Sequence, residues 1–141
     1  MIILNNALIK EINAHAEAEY PFECCGIILG RLQNGVKAAL ELLGISNARD
    51  EASRHNRFLI TDEEFAKASF YAAKKGYEIL GFYHSHPDHP SIPSKYDLEH
   101  AWPFYSYIIV AVEKGEAKEF TSWELENNRT RFNQEIINKG E

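Results

Sequence analysis

Cysteine is scarce in this chain, with two residues in 141, and the two are adjacent, Cys24 and Cys25. Neighbours in sequence rarely bridge, and no CxxC pair exists, so a disulfide framework is excluded. Both thiols are expected to be reduced packing residues, which agrees with a reducing compartment. Long apolar runs are also missing. The longest stretches, such as CCGIILG and YIIVAV, are too short to span a bilayer, and the start MIILNNALIKE lacks the basic residues and cleavage site of a signal peptide. The expectation is a cytoplasmic chain with no membrane partner. No basic face stands out either. The net charge is −6, with lysines and arginines dispersed among acids, so a nucleic-acid partner is not expected. Repeats, linkers and low-complexity tracts are absent as well.

What remains is an ordinary globular composition, 45% apolar and 26% charged, at a length that suits one domain over residues 1–141. Helical spacing predicts a first helix in NNALIKEINAHAEAEYP, capped by Asn5 or Asn6 and stopped at Pro21. CCGIILGRL and VKAALELLGI read as two antiparallel strands joined at Asn34-Gly35, and RFLI as a further strand. Thr61 and Glu64 form a capping box ahead of Phe65, Ala68, Ala72 and Ala73, and Gly76 closes that second helix. YEILGFYHSH is expected to be a largely buried strand, and SKYDLEHAW a short helix ended by Pro103. YSYIIVAVE and AKEFTSWEL make a hairpin around KG, and TRFNQEIIN fits strand or helix. The predicted order is α-β-β-β-α-β-α-β-β, an α/β sheet flanked by helices.

Chemistry concentrates in GFYHSHPDHPSIPSKYD, residues 81–97, which holds three of the five prolines and three of the six histidines. If Tyr77 to Tyr83 is a strand, His84 and His86 project to one face at its end, as two ligands of one metal would. Asp97, eleven residues further on, is a natural third ligand that leaves the fourth position of a zinc ion open for chemistry. Pro87, Pro90 and Pro93 are expected to stiffen the intervening loop. Plainer readings exist. A lone HxH also occurs in surface turns, and Ser94 with Asp97 also fits a helix N-terminus, Ser94 capping and Asp97 answering at the third helical position. His15, His89 and His100 have no partner at a telling distance and read as surface or packing residues.

Taken together, HSHPDHPSIPSKYD resembles the signature H-[ST]-H-P-x6-S-x2-D of the JAMM metallopeptidases, also called MPN+ or Mov34/PAD-1. His84, Ser85, His86, Pro87, Ser94 and Asp97 occupy every fixed position of it. The family's upstream glutamate is matched by Glu23 in YPFECCGIILG. An acid wedged before an apolar strand must be exposed, paired or raised in pKa, so its presence there calls for a reason. The resemblance is to the compact prokaryotic branch. It implies a JAB1/MPN fold, similar to cytidine deaminases, with a central mixed β-sheet flanked by helices. It implies one zinc per chain on His84, His86 and Asp97, Glu23 as general base, Ser94 as donor to the oxyanion, and a substrate contact at Ser85. Family members cut after the C-terminal glycine of ubiquitin or ubiquitin-like proteins. The expected partner is therefore the C-terminal Gly-Gly tail of a ubiquitin-like sulfur carrier, since insertions that embrace a second ubiquitin are missing. Two alternatives remain: a zinc hydrolase of small peptides or other amides, and a non-catalytic interaction module. Deamination is disfavoured, because the His/Cys plus PCxxC ligand set is absent.

Overall fold

A computed structural model describes residues 1–47 and 60–140. A two-residue strand β1 (Ile2–Ile3) leads into helix α1 (Asn6–Glu19), which begins where the Asn5 side chain accepts a hydrogen bond from the Leu8 amide at 2.9 Å. Leu8, Ile12 and Ala16 recur every four residues and are the buried face of α1. Burying Leu8 and Ile12 stabilises by roughly 1.5–3 kcal/mol each, so packing more than intrinsic propensity holds this helix.

Strands β2 (Cys25–Gln33) and β3 (Val36–Ile45) pair antiparallel around Asn34 and Gly35, whose φ angles of 52° and 79° are the left-handed values a two-residue hairpin requires. The strand expected at RFLI lies, but for Ile60, outside the described residues. Helix α2 (Asp62–Lys75) starts where Thr61 accepts from the Glu64 amide and ends at left-handed Gly76, with three acids in its first turn and Lys74 and Lys75 in its last. β4 (Glu78–Pro87), helix α3 (Lys95–His100) and β5 (Ser106–Glu113) form a crossover unit in which β4 and β5 run parallel. β6 (Glu116–Leu125) returns antiparallel to β5. The ambiguous TRFNQEIIN resolves into two strands, β7 (Phe132–Glu135) and β8 (Ile137–Asn138).

Among the described residues these strands make one mixed sheet, ordered β7-β6-β5-β4-β2-β3-β1-β8. β7 and β8 flank Ile136 in sequence yet occupy opposite edges, so the sheet curls until its edges meet. The Met1 amino group closes the seam against Glu135 at 3.3 Å. β1, β7 and β8 are too short for a period-two pattern, which is why β1 escaped the sequence reading. α1 lies within the curl against β3, β4, β5 and β6, while α2 packs Ala68 and Ala72 on the opposite face over Ile27, Leu29 and Ile79. Gly81 is required where β4 meets β5: a Cβ there would stand 2.0 Å from the Ser106 carbonyl oxygen.

Candidate metal centre

β4 runs through both histidines to Pro87, as the reading of YEILGFYHSH as one strand expects. The parallel partner β5 extends the ladder, pairing His84 with Ile109 and His86 with Ala111, so both histidines sit inside a strand. They share a face because side chains alternate, and it is the face of α2, since Phe82 two residues earlier packs on Phe65. α3 closes over that face and delivers Asp97 from its first turn.

His84, His86 and Asp97 are all buried, and their ligand atoms lie within 4.8 Å of one another. The two Nε2 atoms are 3.2 Å apart, His84 Nε2 is 3.3 Å from Asp97 Oδ1, and His86 Nε2 is 3.2 Å from Asp97 Oδ2. Donors about 2.0–2.2 Å from one ion at tetrahedral angles stand roughly 3.3–3.6 Å apart, so this triangle fits three corners of a zinc tetrahedron. The far nitrogen of His86 agrees. Nδ1 is 2.8 Å from the Pro90 carbonyl, which can only accept, so Nδ1 carries the proton and Nε2 keeps its lone pair for an ion. Electrostatics also suit a cation. Burial raises the Asp97 pKa, but the pull of His84 beside it and the hydrogen bond from the Ser94 amide help to outweigh it and hold the carboxyl well below its usual range. Burial lowers the His84 pKa against the pull of Asp97, which favours the neutral, ligating ring.

Glu23 belongs to the same constellation. It precedes β2 and is 4% exposed. The antiparallel register pairs Cys25 with His84, and the Ser85 amide bonds to the Cys24 carbonyl at 3.3 Å, so the register continued to Glu23 sets it opposite His86. Burial first, and then the charge of Asp97, pushes its pKa up to about 9.

Ser94 and Asp97 do what the plainer reading asked and remain beside the centre. Ser94 Oγ accepts from the Asp97 amide at 3.1 Å, and Asp97 Oδ2 accepts from the Ser94 amide at 2.8 Å, a complete capping box. Ser94 is exposed, and accepting one bond leaves its hydroxyl a proton to donate. Ser85, expected to touch substrate, is placed elsewhere. It points to the opposite face, is fully buried, and accepts from the Cys24 amide at 2.8 Å, so it bridges β4 to the Glu23 segment. Cys24 and Cys25 are buried, which pushes the Cys24 thiol up to about 12 and that of Cys25 higher still.

Sequence reasoning missed two features. His15 is not idle: its Nδ1 meets the Tyr83 hydroxyl at 2.7 Å, tying α1 to β4. Beside the centre lies an aromatic pocket of about 740 Å³ that shares β4 through Phe82 and α3 through Tyr96 and His100; Trp102, Phe104, Tyr105 and Tyr107 supply much of the remaining wall. The aromatic run AWPFYSY was its only signal.

Residues 5–126 match the family described as prokaryotic homologs of the JAB domain. A desampylase of Haloferax volcanii is 28% identical over 105 residues, covering 74% of this chain and 73% of that protein. A desampylase of Pyrococcus furiosus is 35% identical over 98 residues, 68% of this chain, which spans 64% of that protein's length. Among solved structures, a protein of Desulfitobacterium hafniense superposes with a TM-score of 0.84 at 27% identity, covering 97% of this chain and 91% of the other. A JAB1/MPN domain protein of Archaeoglobus fulgidus has the same fold, with a TM-score of 0.59 at 19% identity over 98% of this chain and 95% of the other.

Proposed function

The chain belongs to the prokaryotic homologs of the JAB domain, and from that premise we propose that it is a zinc-dependent isopeptidase, hydrolysing the amide after the C-terminal Gly-Gly of a ubiquitin-like sulfur carrier. The observation that carries this reading is the buried triangle of His84, His86 and Asp97, with the buried Glu23 close enough for the Asp97 charge to raise its pKa. The desampylase names of two relatives point to the same class of substrate.

His84, His86 and Asp97 would hold the ion, which supplies a Lewis acid and a water that loses its proton near neutral pH. Glu23 accepts that proton and returns it to the departing amine. In the metal-free protein burial, and then the Asp97 charge, keeps this carboxyl protonated at neutral pH; a cation on the triangle would draw its pKa down, so that the ionised carboxylate can accept the proton. Ser94 donates its hydroxyl proton to the oxygen of the attacked carbonyl as charge develops there, a contribution of about 3–4 kcal/mol when well aimed. The thiols take no part, since neither is ionised near neutral pH.

The aromatic pocket refines the substrate. Gly-Gly offers no side chain, so selectivity must come from residues upstream, and a large apolar side chain of the carrier's tail suits the Trp102 and Phe82 walls. The same pocket supports a second reading, hydrolysis of short apolar peptides. Mass spectrometry of carriers bearing a C-terminal extension, incubated with zinc-loaded protein and with Glu23→Gln, tests the first. Loss of the mass beyond Gly-Gly with the unmodified protein alone is expected. Intact carriers alongside cleaved short peptides would move the reading to the second.

A further inference from the structure

The carbonyl that fixes the His86 ring belongs to Pro90, on the loop between two ligands. Loop prolines restrict a chain but do not aim a carbonyl. Ser91, the next residue, has no exposed surface and is bound to β6 through both side chain and backbone. Its Oγ donates to Glu119 Oε1 at 2.7 Å, and its carbonyl accepts from Thr121 Oγ1 at 2.6 Å and Trp123 Nε1 at 3.3 Å. Trp123 Nε1 also donates to Thr121 Oγ1 at 2.8 Å. Glu119, Thr121 and Trp123 alternate along β6 and share one face, which the register His84↔Ile109↔Thr121 identifies as the face of the metal centre. At the loop's other end, Asp88 accepts from the Lys114 amide at 2.9 Å and from the Tyr20 hydroxyl at 2.6 Å.

The Pro90 carbonyl lies in one rigid plane with the Ser91 nitrogen and Cα, so whatever immobilises Ser91 orients that carbonyl. We propose that Ser91, Thr121 and Trp123 are positioning residues of the metal centre: by clamping Ser91 to β6 through its side chain and carbonyl they hold the preceding Pro90 carbonyl against His86 Nδ1–H and keep Nε2 aimed at its co-ligands. This rests on the metal reading above. It assigns to β6, which provides no ligand of the centre, control over one ligand's tautomer and orientation. Partners at this remove from a metal typically change its affinity 10–100-fold.

The test is cobalt(II) titration of the metal-free protein, followed by its visible ligand-field bands, with thermal unfolding of the metal-free forms as a check on folding. Thr121→Val keeps the shape and removes the hydroxyl, Ser91→Ala removes the bond to Glu119, and Thr121→Ser restores a hydroxyl. Thr121→Val and Ser91→Ala are expected to weaken cobalt binding by about 10–100-fold and shift the bands, with Thr121→Ser within about 3-fold of the unmodified protein. Affinities of Thr121→Val and Ser91→Ala within about 3-fold of the unmodified protein, with unchanged bands, would overturn the clamp while leaving the metal centre standing. Failure of the unmodified protein to bind cobalt would overturn the metal reading and the clamp with it. A second measurement needs no variant. Nitrogen NMR of the unmodified metal-free protein should show His86 protonated at Nδ1 with a slowly exchanging proton; protonation at Nε2 alone contradicts the proposal.

Discussion

The Cys24 amide donates to the Ser85 hydroxyl at 2.8 Å, and the Ser85 amide answers to the Cys24 carbonyl at 3.3 Å. Two residues 61 apart in sequence thus fasten the segment carrying Glu23 to the strand carrying His84 and His86. The candidate base, two residues before β2, is thereby tied to the strand that carries two candidate ligands.

Ser85→Ala tests this mounting. It leaves the buried Cys24 amide without its side-chain acceptor, at a cost of about 1–3 kcal/mol in unfolding free energy. Because Ser85 touches no ligand atom, zinc affinity should stay within a few-fold while kcat falls. Denaturant unfolding and metal titration on the same variant separate the two effects.

Glu23 makes the stability of the metal-free protein depend on pH. Its folded pKa, about 9, lies above the ordinary 4.5, so between these values the folded state holds a proton that the unfolded state has released. The contribution is therefore fully present below pH 4.5 and lost as pH rises toward 9, with a slope of up to about 1.4 kcal/mol per pH unit. Glu23→Gln cannot titrate and should flatten that part of the profile. An unchanged slope in the variant would assign it to other groups.

Both cysteines should be inert in the native state. Burial keeps their thiols protonated at pH 8, so iodoacetamide should label neither until the protein is unfolded. Mass spectrometry with and without denaturant reads this directly, and rapid native labelling of Cys24 would reopen a nucleophilic part for it.

Trp102 should govern substrate affinity and leave the chemistry alone. It is 62% exposed in the pocket wall, with the Arg129 guanidinium 4.6 Å from its ring centre and its amide donating to the Tyr107 hydroxyl. Trp102→Ala is expected to raise KM for a protein substrate by about 5–30-fold at nearly constant kcat, as loss of an aromatic anchor does. A fall in kcat at constant KM would place this residue in the reaction instead.

Most of the element pattern and every candidate ligand were legible in the chain, for local reasons. Asn34-Gly35 dictates a hairpin because both positions need left-handed backbone, Thr61 and Gly76 bracket a helix because they satisfy its end groups, and His84 and His86 share a face because a strand alternates. The spacing from Ser94 to Asp97 is likewise local, since the position that answers a cap lies three along from it. Only tertiary structure could decide what depends on distant pairing. It laid β5 beside the histidines, and it brought Glu23 into the interior near Asp97 through a pairing that no local pattern encodes. It turned Ser85 from the substrate to the Cys24 amide, and it laid Ser91 on β6, where contacts across the sheet and not the prolines alone hold the loop. Short-range backbone preferences select residues and their faces; desolvation, hydrogen-bond pairing and charge in a closed interior select what those faces meet.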